Sequence, residues 1–380
     1  MLYRKFPKIP DLEISALGLG CMRLPTTGDD SAAIDEAGAT AILGAALDSG
    51  VNYVDTAWPY HKEQSEPWLG RAMRDLGCRD SLQLATKAPT WLVKESGDWE
   101  RFLSQQLERL KTTRIDFYLL HALNGARWKT VLDTGGLEFL ARARADGRIG
   151  HAGFSFHDSL GVFKRIIDGW TDCEFCQVQY NYLDEGFQAG GEGIAYAADR
   201  AVGVIVMEPL RGGILARVPD GVRSIFGGYR TPRMPAEWAL RHVLDRQEVV
   251  TVLSGMGNAG QLYENAAVAS SAQPNSMTGP ERAVIDQARD HLVSRMAAPC
   301  TACGYCSPCP SGVNIVDTFG MWNEAAMFGT VDENRRQYRS GLQARGNGAQ
   351  ACVECGQCVP KCPQGIDIPA RLKEAHSTLG

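Results

Sequence analysis

The chain has 380 residues, enough for one large domain and a small one, and its 44% apolar content can build a sizeable core. Its 44 acidic and 39 basic residues give a net charge of −5 without a basic stripe, which excludes the electrostatic footprint of a nucleic-acid binder. The longest apolar stretches, such as Val202 to Met207 and Val249 to Leu253, are strand-sized, so no membrane span is expected; Met1 to Ile14 lacks the basic start and apolar run of a secretory signal, and a cytoplasmic protein with reduced cysteines is expected.

From Ile14 to about Ala269, short apolar runs alternate with longer segments of helical period, the pattern of repeated βα units. The strand candidates are Ala16–Gly20, Val51–Asp55, Leu82–Thr86, Phe117–His121, His151–Ser155, Phe175–Gln179, Gly203–Met207 and Val249–Ser254. Between them lie helix-like stretches: Ala39–Ser49, Glu66–Leu76, Trp99–Leu110, Leu137–Ala145, Leu160–Ile167, Ile194–Ala201, Ala236–Asp245 and Ala259–Ala269, several ended by Gly. Eight βα units in roughly 250 residues have the size of a (β/α)8 TIM barrel, whose reactive groups sit at the C-terminal ends of its strands. A doubly wound dinucleotide sheet would need a G-x-G-x-x-G turn after an early strand, and Gly18-Leu19-Gly20-Cys21-Met22-Arg23 does not supply it. A further helix, roughly Pro280–Met296, carries the chain out of the barrel, and Ala297-Ala298-Pro299 marks the boundary between residues 1–295 and 296–380.

Eight of the twelve cysteines fall in the last 81 residues, as Cys300-x2-Cys303-x2-Cys306-x2-Cys309-Pro310 and Cys352-x2-Cys355-x2-Cys358-x3-Cys362-Pro363. The second run has bacterial ferredoxin spacing, in which three close thiolates hold three corners of one cubane and the Cys before Pro reaches the partner cluster. Two [4Fe–4S] clusters follow: one on Cys300, Cys303, Cys306 and Cys362, the other on Cys352, Cys355, Cys358 and Cys309. Zinc would want two distant Cys-x2-Cys pairs, whereas each run here offers a third Cys and a Cys-Pro. The first run departs from the pattern in leaving two, not three, residues between Cys306 and Cys309. The 42 residues between the runs have helical character over Val316–Phe328 and Val331–Ala344, so the tail reads as a small α-helical ferredoxin-like domain. The remaining cysteines, Cys21, Cys78, Cys173 and Cys176, read as structural.

Four polar residues stand where barrel chemistry is expected: Asp55 ends the second strand, Tyr60 follows it, Lys87 closes the third and His121 closes the fourth. Singly, each has an ordinary explanation. In the contexts Asp55-Thr56-Ala57-Trp58-Pro59-Tyr60, Ala85-Thr86-Lys87 and Leu119-Leu120-His121, they resemble the aldo-keto reductase family, over nearly all of residues 1–295. The resemblance implies hydride reduction of a carbonyl with Tyr60 as the general acid. Lys87 would lower the phenol's pKa, Asp55 would hold Lys87 and balance its charge, and His121 would donate to the substrate oxygen as a neutral imidazole.

The same resemblance implies a nicotinamide cofactor, NAD or NADP. Ser155 and Gln177 take the positions that bind its carboxamide, with Gln179 on the same strand face as an alternative. The segment from Met207 through Leu210 to Gly212 and Gly213 matches the loop around the pyrophosphate, and Glu264 and Asn265 match the adenine-contacting pair. Met207 replaces a usual stacking aromatic, and Phe156 replaces a usual Asn. Gly255 and Gln261 stand where many members carry cations for the 2′-phosphate, which leaves NAD open. Trp58, His61, Trp91, Phe156 and Tyr182 fall in loop regions expected to surround the substrate.

The whole chain is similar to the iron–sulfur branch of the aldo-keto reductases, acting on a small-molecule carbonyl or alcohol. Hydride moves two electrons and a [4Fe–4S] cluster takes one, so direct exchange between them is not expected without a flavin. The clusters are then structural, or they carry electrons between a ferredoxin or flavodoxin partner and a substrate or flavin in the barrel. A third reading, a non-catalytic binding or assembly module, is opposed by the intact tetrad.

Overall fold

The computed structural model describes residues 1–380. The chain divides into two compact units, Met1–Ala216 with Ala236–Thr278, and Arg217–Pro235 with Gly279–Gly380. The helix Gly279–Val293, read from the sequence as the exit from the barrel, is grouped with the tail by compactness.

The first unit opens on an antiparallel hairpin, β1 (Tyr3–Phe6) and β2 (Ile9–Ser15). Eight parallel strands then close a barrel: β3 (Leu17–Gly20), β4 (Tyr53–Asp55), β5 (Gln83–Ala88), β6 (Ile115–Leu123), β7 (Ile149–Phe156), β8 (Phe175–Gln179), β9 (Gly203–Met207) and β10 (Val249–Ser254), with β10 paired to both β9 and β3. Every one of them overlaps a strand candidate. Such strands are covered on both faces, so they read as continuous apolar runs; all six residues of β10 are buried.

Helices return the chain between strands, and Ser96–Arg109 shows how. Glu95 and Asp98 form a reciprocal capping box at its start, while Trp99, Phe102 and Leu103 bury one face. Each of those side chains contributes about 1.5–3 kcal/mol when fully buried.

The hairpin escapes pattern reading because two of the four residues of β1 are charged, and only Phe6 is fully buried. Phe6 packs against Phe117 and Phe175 at ring-centroid distances of 5.4 and 5.8 Å. Tyr53, Ala85, Leu119, Ile205 and Leu253 belong to the same cluster. Gly203 is required there, because a Cβ would fall 2.1 Å from Phe6.

In the second unit the helices Ile315–Phe328, Val331–Tyr338 and Ile368–Leu379 surround a core that includes Val313, Phe319, Trp322, Leu342, Ile366 and Leu372. A π-helical turn, Arg339–Gln343, continues the second of these helices. Asn323 accepts from the Ala298 amide and donates to the Ala298 carbonyl, both at 2.8 Å, and so fixes the chain as it enters the first cysteine run. The first run lies in the loop before the first of these helices, and the second in the loop before the last. No helix of the protein is long and apolar enough to cross a membrane.

Candidate active site

Parallel strands place their last residues at one end of the barrel, and Asp55, Lys87 and His121 are each at or near the end of a strand. Lys87 is fully buried. An ammonium has three donors, and all three are used: Nζ donates to Asp55 Oδ1 at 2.5 Å, to the Thr56 carbonyl at 2.8 Å and to the Tyr60 hydroxyl at 3.4 Å. The four expected catalytic residues are brought together, for the Tyr60 and His121 rings meet edge-on with centroids 6.1 Å apart.

Burial is the largest single influence on each member of this group, and for Lys87 alone its partners together outweigh it. It would lower the proton affinity of Lys87, but Asp55 and then Tyr60 more than offset it, and the ammonium is held above its ordinary pKa. Burial pushes the Asp55 carboxyl up while Lys87 pulls it back. For Tyr60 the net direction is upward: burial raises the phenol, and Lys87 opposes it without overcoming it. The expectation that Lys87 brings Tyr60 below its ordinary value is therefore not met in this state. His121 is driven far below its ordinary pKa by burial, with Lys87, His157 and Arg127 adding to the effect, so its imidazole is neutral at physiological pH.

Tyr60 is held by an unusual stretch of backbone. His61, Lys62 and Glu63 all have positive φ, at 52°, 50° and 71°. His61 pins the turn: Nε2 accepts from the Leu24 amide at 3.2 Å, so Nδ1 carries the proton and donates to the Ser31 carbonyl at 2.7 Å. Glu63 accepts from Trp58 Nε1 at 3.1 Å and Arg109 Nη2 at 2.6 Å. Behind Lys87, buried Glu66 accepts from Thr86 Oγ1 and Gln106 Nε2, each at 2.6 Å, and Gln106 also donates to the Lys87 carbonyl at 3.1 Å. Thr90 Oγ1 donates to the His121 carbonyl at 2.7 Å and steadies the end of β6.

Of the five rings expected around a substrate, Trp91 alone is substantially exposed, at 38%. Trp58 lies under Arg109 and against Phe102, Phe156 packs on Phe163, and His61 and Tyr182 are buried.

The residues expected to hold a nicotinamide line the next strands round the barrel. Ser155 on β7 accepts from the Ala122 amide at 2.7 Å and keeps its hydroxyl proton for donation. Gln177 on β8 is 2% exposed; its Nε2 reaches Met207 Sδ at 3.5 Å, and its buried Oε1 has no partner. Gln179 is committed to Asp184 at 3.1 Å. An orphaned buried amide oxygen beside a serine hydroxyl fits a carboxamide ligand.

The pyrophosphate loop is less open than the sequence suggests. Glu208, Arg211, Gly212 and Gly213 all have positive φ, and the Glu208 carboxylate accepts the Gly212 amide, while the Gly213 amide is bound to the Leu210 carbonyl at 2.9 Å. A carboxylate thus occupies one of the expected phosphate donors. Gly255 and Gln261 are exposed, the latter folded back to accept from the Gly257 amide at 2.8 Å; Glu264 is exposed, and Asn265 donates to Ser254 Oγ at 3.2 Å.

Arg23 was missed from sequence. Its side chain runs along Gly255, where an added Cβ would lie 3.0 Å away, and its guanidinium reaches 3.1 Å from a Cβ built on Gly212 and 3.6 Å from Glu208. No motif marks a lone Arg after a first strand.

A model of the aldo/keto reductase family matches residues 16–224. The chain belongs to this family. It is thereby an aldo-keto reductase-type oxidoreductase, and a model of the 4Fe-4S dicluster domain matches residues 299–366. Among similar proteins, the uncharacterized oxidoreductase YqkF of Bacillus subtilis is 25% identical over 290 residues, covering 68% of this chain and 89% of its own. The aldo-keto reductase YhdN of the same species is 34% identical over 117 residues, 29% of this chain and 35% of its own. The solved holo form of aldo-keto reductase AKR11C1 from Bacillus halodurans aligns with TM-score 0.62 and 26% identity over 76% of this chain and 96% of that one.

In the tail, one open pocket is lined by Cys300, Cys303, Cys306 and Cys362, and a second by Cys309, Cys352, Cys355 and Cys358, with Cys306 also at its edge. None of the eight is tied in a disulfide. Burial raises the Cys300 and Cys358 thiols, and neighbouring cysteines from both runs add to the effect in each case.

Proposed function

We propose that the barrel interconverts a carbonyl and an alcohol with NAD or NADP, and that the hydrogen-bonded series Asp55–Lys87–Tyr60 beside neutral His121 is the observation that carries this reading. When bound, the cofactor would supply or accept hydride, with Ser155 and Gln177 on its carboxamide and Met207 against its ring. Leu210, Gly212, Gly213 and Gly255 would border its phosphates, and Gln261, Glu264 and Asn265 its adenosine end. Glu208 must then release the Gly212 amide, and Arg23 is the cation beside it. Tyr60 delivers the proton to the carbonyl oxygen, Lys87 stabilises the phenolate left behind, and Asp55 keeps Lys87 charged and in place. His121 donates one N–H to the same oxygen.

Residues 296–380 form the cluster-bearing module on this reading. Cys300, Cys303, Cys306 and Cys362 would hold one [4Fe–4S] cluster and Cys309, Cys352, Cys355 and Cys358 the other, supplying one-electron chemistry. The two cavities and their donor sets support that assignment. A second reading, electron exchange with a ferredoxin or flavodoxin, is favoured by exposed Cys303 and Cys355 and by Tyr305 and Val353, which are 67% and 68% exposed.

Anaerobically purified protein should reduce members of a carbonyl panel with NADH or NADPH, with clusters intact and after their removal. Turnover only with reduced ferredoxin or flavodoxin would favour the second reading, and no turnover with any donor would overturn both.

A further inference from the structure

The helix Gly125–Asp133 begins just past the end of β6, and Arg127 sits in its first turn. Arg127 Nη1 donates to the Ala122 carbonyl at 2.7 Å; Ala122 follows His121 directly and has φ 51°, at an irregularity in the β6 ladder. The guanidinium carbon is 5.4 Å from the centroid of the Trp91 ring, which in turn lies 5.1 Å from the His121 ring. A half-buried cation thus stands one indole away from the imidazole expected to bind the substrate oxygen.

What sets Arg127 apart is the lack of a counter-charge. Arg23 faces Glu208, Arg109 faces Glu63 and Glu66, and Arg211 faces Asp184. No acidic side chain pairs with Arg127, and burial lowers its pKa with nothing acting against it. Taking a cation out of water without an anion costs free energy, and this one also opposes protonation of His121 and His157. Fixing the Ala122 carbonyl explains only one donor, which a neutral amide could equally supply. The other donors of the planar fork have the geometry that grips a carboxylate in two places. Exposed Trp91 offers an apolar face for the carbon skeleton between the two ends.

We infer that the substrate of this site is a carboxylate-bearing carbonyl compound, bound with its carbonyl at Tyr60 and His121 and its carboxylate on Arg127. The inference rests on the reductase reading and names the substrate class for it. The test compares para-carboxybenzaldehyde with its neutral amide, and succinic semialdehyde with its amide, in the wild type, Arg127→Gln and Arg127→Lys; Gln keeps a donor for Ala122 and Lys keeps the charge. The ratio of kcat/KM for acid over amide should exceed one in the wild type and fall roughly tenfold to a hundredfold in Arg127→Gln, the scale of a lost charge-assisted hydrogen bond, with a smaller fall in Arg127→Lys. An unchanged ratio in Arg127→Gln, or a wild type that prefers the amide, overturns the inference and leaves the reductase reading standing. Calorimetric binding of benzoate separates the two failures: if no carbonyl is reduced, binding that weakens tenfold in Arg127→Gln still supports the carboxylate site, and equal binding refutes it.

Discussion

In the barrel, Lys87 is completely buried and its N–H groups already meet Asp55, Thr56 and Tyr60; in the tail, Cys303 and Cys355 are exposed, and all eight thiols lie on loops around cavities. The first arrangement is complete without a guest, because strand ends, a left-handed turn and a buried Glu66–Gln106 network fix each group. The second sets cysteines of both runs against one packed core and around shared pockets. A site fixed by its own hydrogen bonds and a thiol site shaped for a metal guest should respond differently to removal of that guest.

The largest expected effect breaks the two apart. Anaerobic removal of iron by a chelator should raise amide exchange across residues 299–314 and 352–366 by orders of magnitude while leaving β4, β5 and β6 unchanged, read by hydrogen exchange with mass spectrometry. Equal exchange in both regions before and after chelation would mean that the tail is as self-sufficient as the barrel.

A smaller effect sharpens the comparison within the barrel, where folding supplies the catalytic end more fully than the nucleotide end. Gly255 and Gln261 present no cation, and Arg23 is engaged with Glu208. Dissociation constants for NADH and NADPH, from fluorescence titration, should agree within about tenfold, since a charged contact is worth roughly 1.5–3 kcal/mol. A hundredfold preference for NADPH would show that Arg23 or a neighbour turns to the 2′-phosphate.

The same contrast explains what the sequence made legible. The strands stand out because both faces of a parallel barrel are covered; Asp55, Lys87 and His121 stand out because they close strands, with Tyr60 soon after the first of them, in local contexts that resemble the family. The cysteine spacing is local too. The hairpin did not stand out, since Arg4 and Lys5 mask a strand whose one fully buried residue is Phe6. Adjacency to a strand end also cannot say which way a ring turns, so Trp58, Phe156 and Tyr182 read as pocket walls although they are buried. Arg23 and Arg127 were invisible for a related reason: a lone cation gains its meaning from the charges it lacks or meets across the fold. The rise in the Tyr60 pKa was missed because burial outweighs the neighbouring ammonium.

On the proposed reading, Tyr60 is the proton donor of a hydride-transfer site. Tyr60→Phe removes only the longest of the Lys87 contacts, so the site should stay folded. Turnover of a carbonyl that the wild type reduces should fall by about two or more orders of magnitude, the scale of a lost general acid, while the dissociation constant of the nicotinamide cofactor stays within about threefold. Wild-type turnover in Tyr60→Phe, with cofactor binding intact, would contradict the account.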